Sequence, residues 1–554
     1  MSHLNTRKYF AVSRFLPVVL AVVGLLLGTP AHAAAPGIQG TSFSLNAGVA
    51  YNSQPDGELV YSWGYGCTGG ALSGGEVYAP AQFAALGFCP LVQFPGPTLI
   101  VREGGSFTVT LTNNLPVSAG NTSIVFPGLS VSCNTAKGLQ TCEAAHGASV
   151  TYTVQVPVGS AGTHAYQSGT QPDLQIEMGL FGAVIVLPSV TYPNCDNGTG
   201  TTSVIAHRDD FRLAANAYDH PLTCYDREYL WEWSEMDPGI HRQAEAQVAA
   251  RSNSTTCPSV TTPGCSLDVK TEPYHPAYFL INGRSMPDDM DPDYAPNYPN
   301  QPYNGNPHMH PGELILVRTI GQGHWQHPFH EHGNHVRILA RDGNLLLAQA
   351  NNPASSTLLA GRMEFNTDTT PGQTFDGIFY WSGKGLGWDI LAHTTANGAG
   401  NPTCVPDVNG FYTNRSTPAA AVPTYTLTAN GVQMTSGAPN YYEWCQDHNV
   451  PLEANPVGQV GGGGPMTLFD PLIAANGLWF NGTPYLGPEA VGRSRGPTPL
   501  PPGSASQNPT PESGIAFMWH SHNEREITTN NVFPGGMLMM MLVDPYVWNI
   551  DETL

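Results

Sequence analysis

Phe107-Thr108-Val109-Thr110-Leu111-Thr112 alternates apolar and polar side chains without a break. Side chains of a strand point to opposite faces with a period of two, so this run has one face for a core and one for solvent. Leu99-Ile100-Val101 precedes it, and Val150-Thr151-Tyr152-Thr153-Val154 and Gly182-Ala183-Val184-Ile185-Val186 follow. Glycine (61) and proline (49) punctuate a 554-residue chain that is only 11% charged, a composition of many short strands and turns. The chain is therefore expected to be all-β, with one sandwich over residues 36–192.

A second set of strands begins at Glu228-Tyr229-Leu230-Trp231 and continues through Tyr278-Phe279-Leu280-Ile281-Asn282 and Glu313-Leu314-Ile315-Leu316-Val317. His335-Val336-Arg337-Ile338-Leu339, Thr374 to Tyr380 and Met537 to Val543 complete a second sandwich over residues 200–546. An interruption at about 385–512 is rich in Gly, Pro, Asn and Thr. A structureless loop of that length is rare in a compact domain, so it is expected to fold locally as an insertion. Its Gly461 to Gly464 run lacks a following Lys-Ser/Thr and reads as loop, not as a phosphate cradle. Met539-Met540-Met541 could serve copper, but its place in a terminal apolar strand favours core packing.

Residues 1–33 have the form of a secretory signal peptide: Arg7, Lys8 and Arg14, an apolar run from Phe15 to Leu27, then Ala31-His32-Ala33. The apolar run is short for a membrane span, and no later stretch is long enough. The ten cysteines fall into short-range couples, Cys67/Cys89, Cys133/Cys142, Cys195/Cys224, Cys257/Cys265 and Cys404/Cys445, and nearest-neighbour bridging is the simplest expectation. Both features predict a secreted or periplasmic protein. Without the three leader cations the chain carries 18 Lys+Arg against 42 Asp+Glu. That surface repels phosphate backbones and anionic lipid heads, which argues against a nucleic-acid partner.

The chemistry concentrates in His327-Pro328-Phe329-His330-Glu331-His332 and, far downstream, His520-Ser521-His522. Period two puts His330 and His332 on one face of a strand, and His520 and His522 on one face of another. Adjacent strands would bring four imidazoles together, a nitrogen-rich site that favours copper among divalent ions. The plain alternative is a group of solvated or core histidines. Five of the 19 histidines lie between His324 and His335, a density that favours metal.

These motifs, in this order, resemble those of the multicopper oxidases. Pro95-Gly96-Pro97-Thr98 with Glu103-Gly104-Gly105, and Gly162-Thr163 through Gly179-Leu180-Phe181-Gly182, are similar to the opening and close of that family's first domain. His327 to Gly333 matches its third copper motif strongly; His520-Ser521-His522 with Gly535-Gly536-Met537 matches the fourth less well. The resemblance implies tandem cupredoxin-like Greek-key sandwiches, a copper cofactor, and His327, His330, His332, His520 and His522 as the metal residues.

It also implies what is missing. The family's type 1 copper takes electrons from substrate through a cysteine thiolate, and here that position is Ser521; the next histidine ligand falls on Glu526 and the axial position on Asn531. A serine hydroxyl cannot supply the soft thiolate bond. Of the type 1 set His327 alone survives. The first and second motifs fall on Val125-Phe126-Pro127 and Gln167-Ser168-Gly169, so half of the eight histidines of the trinuclear cluster are gone. His164, His308, His310, His324 and His335 could enlarge the site, and Glu524, Arg525 and Glu526 could orient its imidazoles or form a solvated run.

Three functions follow as expectations. The first is a copper oxidoreductase without a blue site, acting on a small reductant or a metal ion. The second is a copper-binding protein without catalysis, and the third a structural cupredoxin protein. Copper ions are the expected partner in the first two, and a homo-oligomer is compatible with all three.

Overall fold

The computed structural model describes residues 35–380 apart from 74, 193–194, 196–210, 310–312, 334 and 348–358, together with strands 424–428, 431–435 and 483–486 and residues 513–552 apart from 545–549 and 551. The leader, most of the insertion and the Cys404/Cys445 couple lie outside the described residues. Among the described residues the regular elements are mostly strands, with few helices, and they are arranged as two cupredoxin-like β-sandwiches.

In the first sandwich, β1 (Gly37–Gln39), β4 (Val77–Ala79), β5 (Leu99–Arg102), β9 (Gly162–Gln167) and β10 (Phe181–Leu187) form a sheet in the order β4-β1-β5-β10-β9. The facing sheet runs β3-β2-β6-β8-β7, from β2 (Ser42–Ser53), β3 (Leu59–Cys67), β6 (Gly105–Asn113), β7 (Ser130–Cys133) and β8 (Ser149–Val156). Parallel pairs β1/β5, β5/β10 and β2/β6 sit among antiparallel ones, so the chain crosses between sheets rather than running as a simple meander. The opening run is the middle of β6. Phe107, Val109 and Leu111 are buried in the core, while Thr110 and Thr112 pair outward through their hydroxyls with Thr151 and Ser149 at 3.0 and 2.9 Å.

The second sandwich repeats the plan. One sheet has the order β12-β11-β14-β20-β16-β17, from β11 (Arg227–Met236), β12 (Tyr278–Ile281), β14 (Leu314–Gly321), β16 (Val336–Arg341), β17 (Asn344–Leu345) and β20 (Thr374–Tyr380), with β18 (Met363–Glu364) on β16. The other runs β13-β25-β24-β15-β19, from β13 (His308–Met309), β15 (His327–Glu331), β19 (Asn366–Thr369), β24 (Ser513–Ser521) and β25 (Leu538–Val543). The insertion supplies a hairpin, β21 (Thr424–Thr428) with β22 (Gly431–Thr435), and β23 (Thr483–Leu486) on β24. Trp231, Trp233, Phe329, Phe379 and Trp519 fill the core with Met539 and Met541, both fully buried. The methionine run is thus core packing.

The longest described helix was not among the elements read from the sequence. Helix α1 (Pro238–Ala250) leaves β11 and lays Ile240 and Ala244 into the core of the first sandwich. Asp237 caps it by accepting the Gly239 N–H at 2.7 Å, and Pro238 occupies the first turn, where no N–H is needed. The sandwiches are also joined by buried polar groups. Asp376 on β20 accepts the Thr163 N–H and hydroxyl of β9 at 3.2 and 2.6 Å, while Arg318 donates to Glu228 at 2.9 Å and to Thr163 at 3.1 Å.

Four bridges close as expected: Cys67–Cys89, Cys133–Cys142, Cys195–Cys224 and Cys257–Cys265. Among the described residues, no helix is long and apolar enough to cross a membrane.

Candidate metal centre

Strands β15 and β24 are antiparallel neighbours, with His330 directly opposite His520 and Phe329 opposite Ser521. His332 lies just past the end of β15 and His522 just past the end of β24, whose chain is tied back by the His522 N–H donating to the Pro328 carbonyl at 2.8 Å. The four rings consequently gather on one side of the sheet. Ring centres lie 4.8 Å apart for His330/His332 and His330/His522, 5.2 Å for His332/His520 and 5.5 Å for His330/His520. His330, His332 and His520 are buried, and one nitrogen from each lies within 4.8 Å of the others. His522 is exposed and closes the solvent side.

The protonation pattern suits metal ligation. Burial first, then the neighbouring His520 and His522, pushes His330 down to about 4; burial and the other three imidazoles push His332 down to about 3. Burial also lowers His520. The rings are therefore neutral near pH 7, the form that binds metal. His520 Nδ1 donates to the Ser521 carbonyl at 2.7 Å, which leaves Nε2 bare and aimed at His332 Nε2, 3.3 Å away. Nitrogens that close fit a shared ion about 2 Å from each. The Nδ1 atoms of His330 and His332 are buried without a hydrogen-bond partner, which is unusual for buried polar atoms. These observations make the residues present a fit for the copper that the resemblance implies.

The floor of the site is rigid. Trp519 Nε1 donates to the His332 carbonyl at 2.8 Å, and its indole packs edge-on against Trp231 and Phe329 at 5.7 and 5.9 Å. Phe365, 46% exposed, lies edge-on to both His330 (5.8 Å) and His335 (5.0 Å) at the rim.

His327 does not join the other four. Three residues before His330, it has opposite strand parity and turns to the sandwich interior with Phe329. There it is fully buried, with Nε2 2.9 Å from Glu235 and Nδ1 2.9 Å from Glu526. Burial favours its neutral form, but hydrogen bonds to and charges of the two carboxylates outweigh that and hold it up at about 9. Both of its nitrogens are engaged by carboxylates, an arrangement that favours the imidazolium form. Glu526 also accepts the Ser521 hydroxyl and, through its other oxygen, the Asn523 side-chain N–H at 2.8 Å. Ser521, His327 and Glu526, which stand where the resemblance puts the type 1 ligands, thus form a hydrogen-bonded ionic group. That donor set does not fit a type 1 copper.

The remaining candidates lie elsewhere. His308 is buried between Asn306 (3.1 Å) and Asp544 (2.7 Å) on β13. His164 bonds the Ser160 carbonyl at 3.1 Å, and His324 is partly exposed, 3.6 Å from Glu177. His335 is buried against Phe365. His310 lies outside the described residues. In the first sandwich Val125 and Gln167 exchange backbone hydrogen bonds, so the positions of the first two motifs do come together, but with no imidazole on them. The sequence reading missed Glu235, one of three glutamates in β11, which nothing in the sequence sets apart from Glu228 and Glu232.

Residues 92–190 match the family model of the multicopper oxidases. No curated protein matches the chain. Among solved structures, the multicopper oxidase mgLAC is 12% identical over 92% of this chain and 87% of that one, with a TM-score of 0.43. The blue copper oxidase from Nitrosomonas europaea is 13% identical over 90% and 85%, with a TM-score of 0.39. A copper-containing nitrite reductase from Thermus scotoductus is 13% identical over 61% and 55%, with a TM-score of 0.34.

Proposed function

We infer that this divergent member of the multicopper oxidase family is an extracytoplasmic protein that holds copper through His330, His332, His520 and His522, and oxidises a small reductant or a metal ion there without a laccase-type blue site. The observation that carries this reading is the convergence of three buried, neutral imidazoles within 4.8 Å, two of them with an unpartnered Nδ1. Four disulfides support the extracytoplasmic location.

Copper bound there supplies one-electron transfer between a reductant and an acceptor such as oxygen. The residues define the rest. The bond from His520 Nδ1 to the Ser521 carbonyl fixes that ring's tautomer and orientation. His522, on the solvent side, is where a reductant can approach, while Phe365 and the Trp519 floor shield the other imidazoles. With Ser521, His327 and Glu526 tied to one another, reductant and acceptor must meet at the same four-imidazole site.

That same ionic group favours a second reading, in which the protein binds copper without turning it over. Copper loading followed by oxygen-uptake assays with phenols, Cu(I), Mn(II) and Fe(II) separates the two. Uptake that scales with bound copper supports the enzyme, bound copper without uptake leaves the binder, and failure to bind copper overturns both.

A further inference from the structure

Ser521 sits between two of the four imidazole residues, and in a strand its side chain must point to the opposite face. That face is the sandwich interior, where its hydroxyl donates to Glu526. Glu526 is fully buried and held from several directions: its N–H donates to the Asn523 carbonyl, its carbonyl accepts the Met537 N–H, both at 2.8 Å, and its carboxylate collects Ser521, Asn523 and His327. Gly536 packs so close that a Cβ there would lie 2.1 Å from the Glu526 carbonyl oxygen. His327 belongs to β15, the strand of His330, and Ser521 to β24, the strand of His520. One carboxylate therefore ties together both strands that present imidazoles.

We propose that Glu526 is the positioning residue of the four-imidazole site, pinning Ser521 and His327 inward so that His520, His522 and His330 are turned outward in register. The proposal rests on the function inferred above for these imidazoles. Glu235 and Glu526 flank the single ring of His327, which places two carboxylates against one imidazole behind the imidazole strands. A negative charge there stabilises a divalent ion over a monovalent one, so Glu526 should favour Cu(II) relative to Cu(I).

Glu526→Gln keeps the shape and an acceptor for Ser521 but removes the charge; Ser521→Ala keeps the charge and removes one bond. Both are to be studied as apoprotein by amide hydrogen exchange and, after loading, by Cu(II) and Cu(I) titration. In the apoprotein, Glu526→Gln should raise exchange at least tenfold at the amides of His522 and Glu526 while the β6 amides keep their protection. Its Cu(II) affinity should fall more than its Cu(I) affinity, whereas Asp268→Asn, which removes an exposed carboxylate paired only with Lys270 among the ion pairs, leaves both unchanged. Ser521→Ala should show the exchange effect with an unchanged Cu(II)/Cu(I) ratio. Parental exchange in both variants would overturn the proposal. Failure of the parent to bind copper would overturn the inferred function while the exchange result still decides the positioning role.

Discussion

His330 and His520 stand directly across from each other on antiparallel strands β15 and β24, with ring centres 5.5 Å apart. This pairing makes two distant sequence motifs into one site, and truncating either ring opens it. His520→Ala is expected to abolish tight copper binding, measured by copper content after dialysis. His308→Ala should leave copper content unchanged. It removes a buried ring bonded to Asn306 and Asp544, and should cost roughly 1–3 kcal/mol of stability in a denaturant titration.

Restoring the thiolate alone should not restore a blue site. In Ser521→Cys the new sulfur would face His327, whose two nitrogens are held by Glu235 and Glu526, and Glu526 itself in place of a second imidazole. Copper-loaded Ser521→Cys is expected to lack an intense blue absorption band. Ser521→Cys with Glu526→His supplies thiolate and a second imidazole together, and that double variant is where such a band should first appear.

Stability should fall as pH rises through the neutral range. Burial pushes the Glu232 carboxyl up to about 8, against an opposing hydrogen bond from Gln322. Between the ordinary value of about 4.5 and about 8, the folded protein keeps a proton that the unfolded chain has released, so each step up in pH favours unfolding. Burial pushes Glu331 the same way. Glu232→Gln should flatten the profile of denaturation midpoint against pH in the apoprotein, gaining most on the parent at its alkaline end.

Asp376 should be among the costliest residues to truncate outside the site. It accepts two hydrogen bonds from Thr163 of the other sandwich and one from Tyr218, and lies 3.6 Å from Arg318. Asp376→Ala leaves those buried donors unmet and is expected to destabilise by about 3–5 kcal/mol, read from chemical denaturation.

Much of this was legible in the sequence because strand parity is a strong signal. The alternation at Phe107 to Thr112 gave β6, and the spacing of His330, His332, His520 and His522 gave the convergence of their rings. The same parity puts His327 on the opposite face, a point that the motif resemblance obscures. Glu526 could be read as the residue at a type 1 ligand position and as one of a run that could orient imidazoles, but its hydrogen bonds could not, because its partners Ser521, Asn523 and His327 come together through a turn and a neighbouring strand. Helix α1 left a faint trace: a capping Asp237-Pro238 and the i, i+4, i+8 spacing of Ile240, Ala244 and Val248. Its apolar face is narrow because it covers an existing core and does not build one.

The central claim is that four imidazoles hold copper where no type 1 site remains. It is tested most directly by elemental analysis of copper-loaded protein together with its electron paramagnetic resonance and visible spectra, beside His520→Ala. Bound copper with a non-blue signal, lost in His520→Ala, is the predicted result. No retained copper, or an intense blue band in the parent protein, would contradict it.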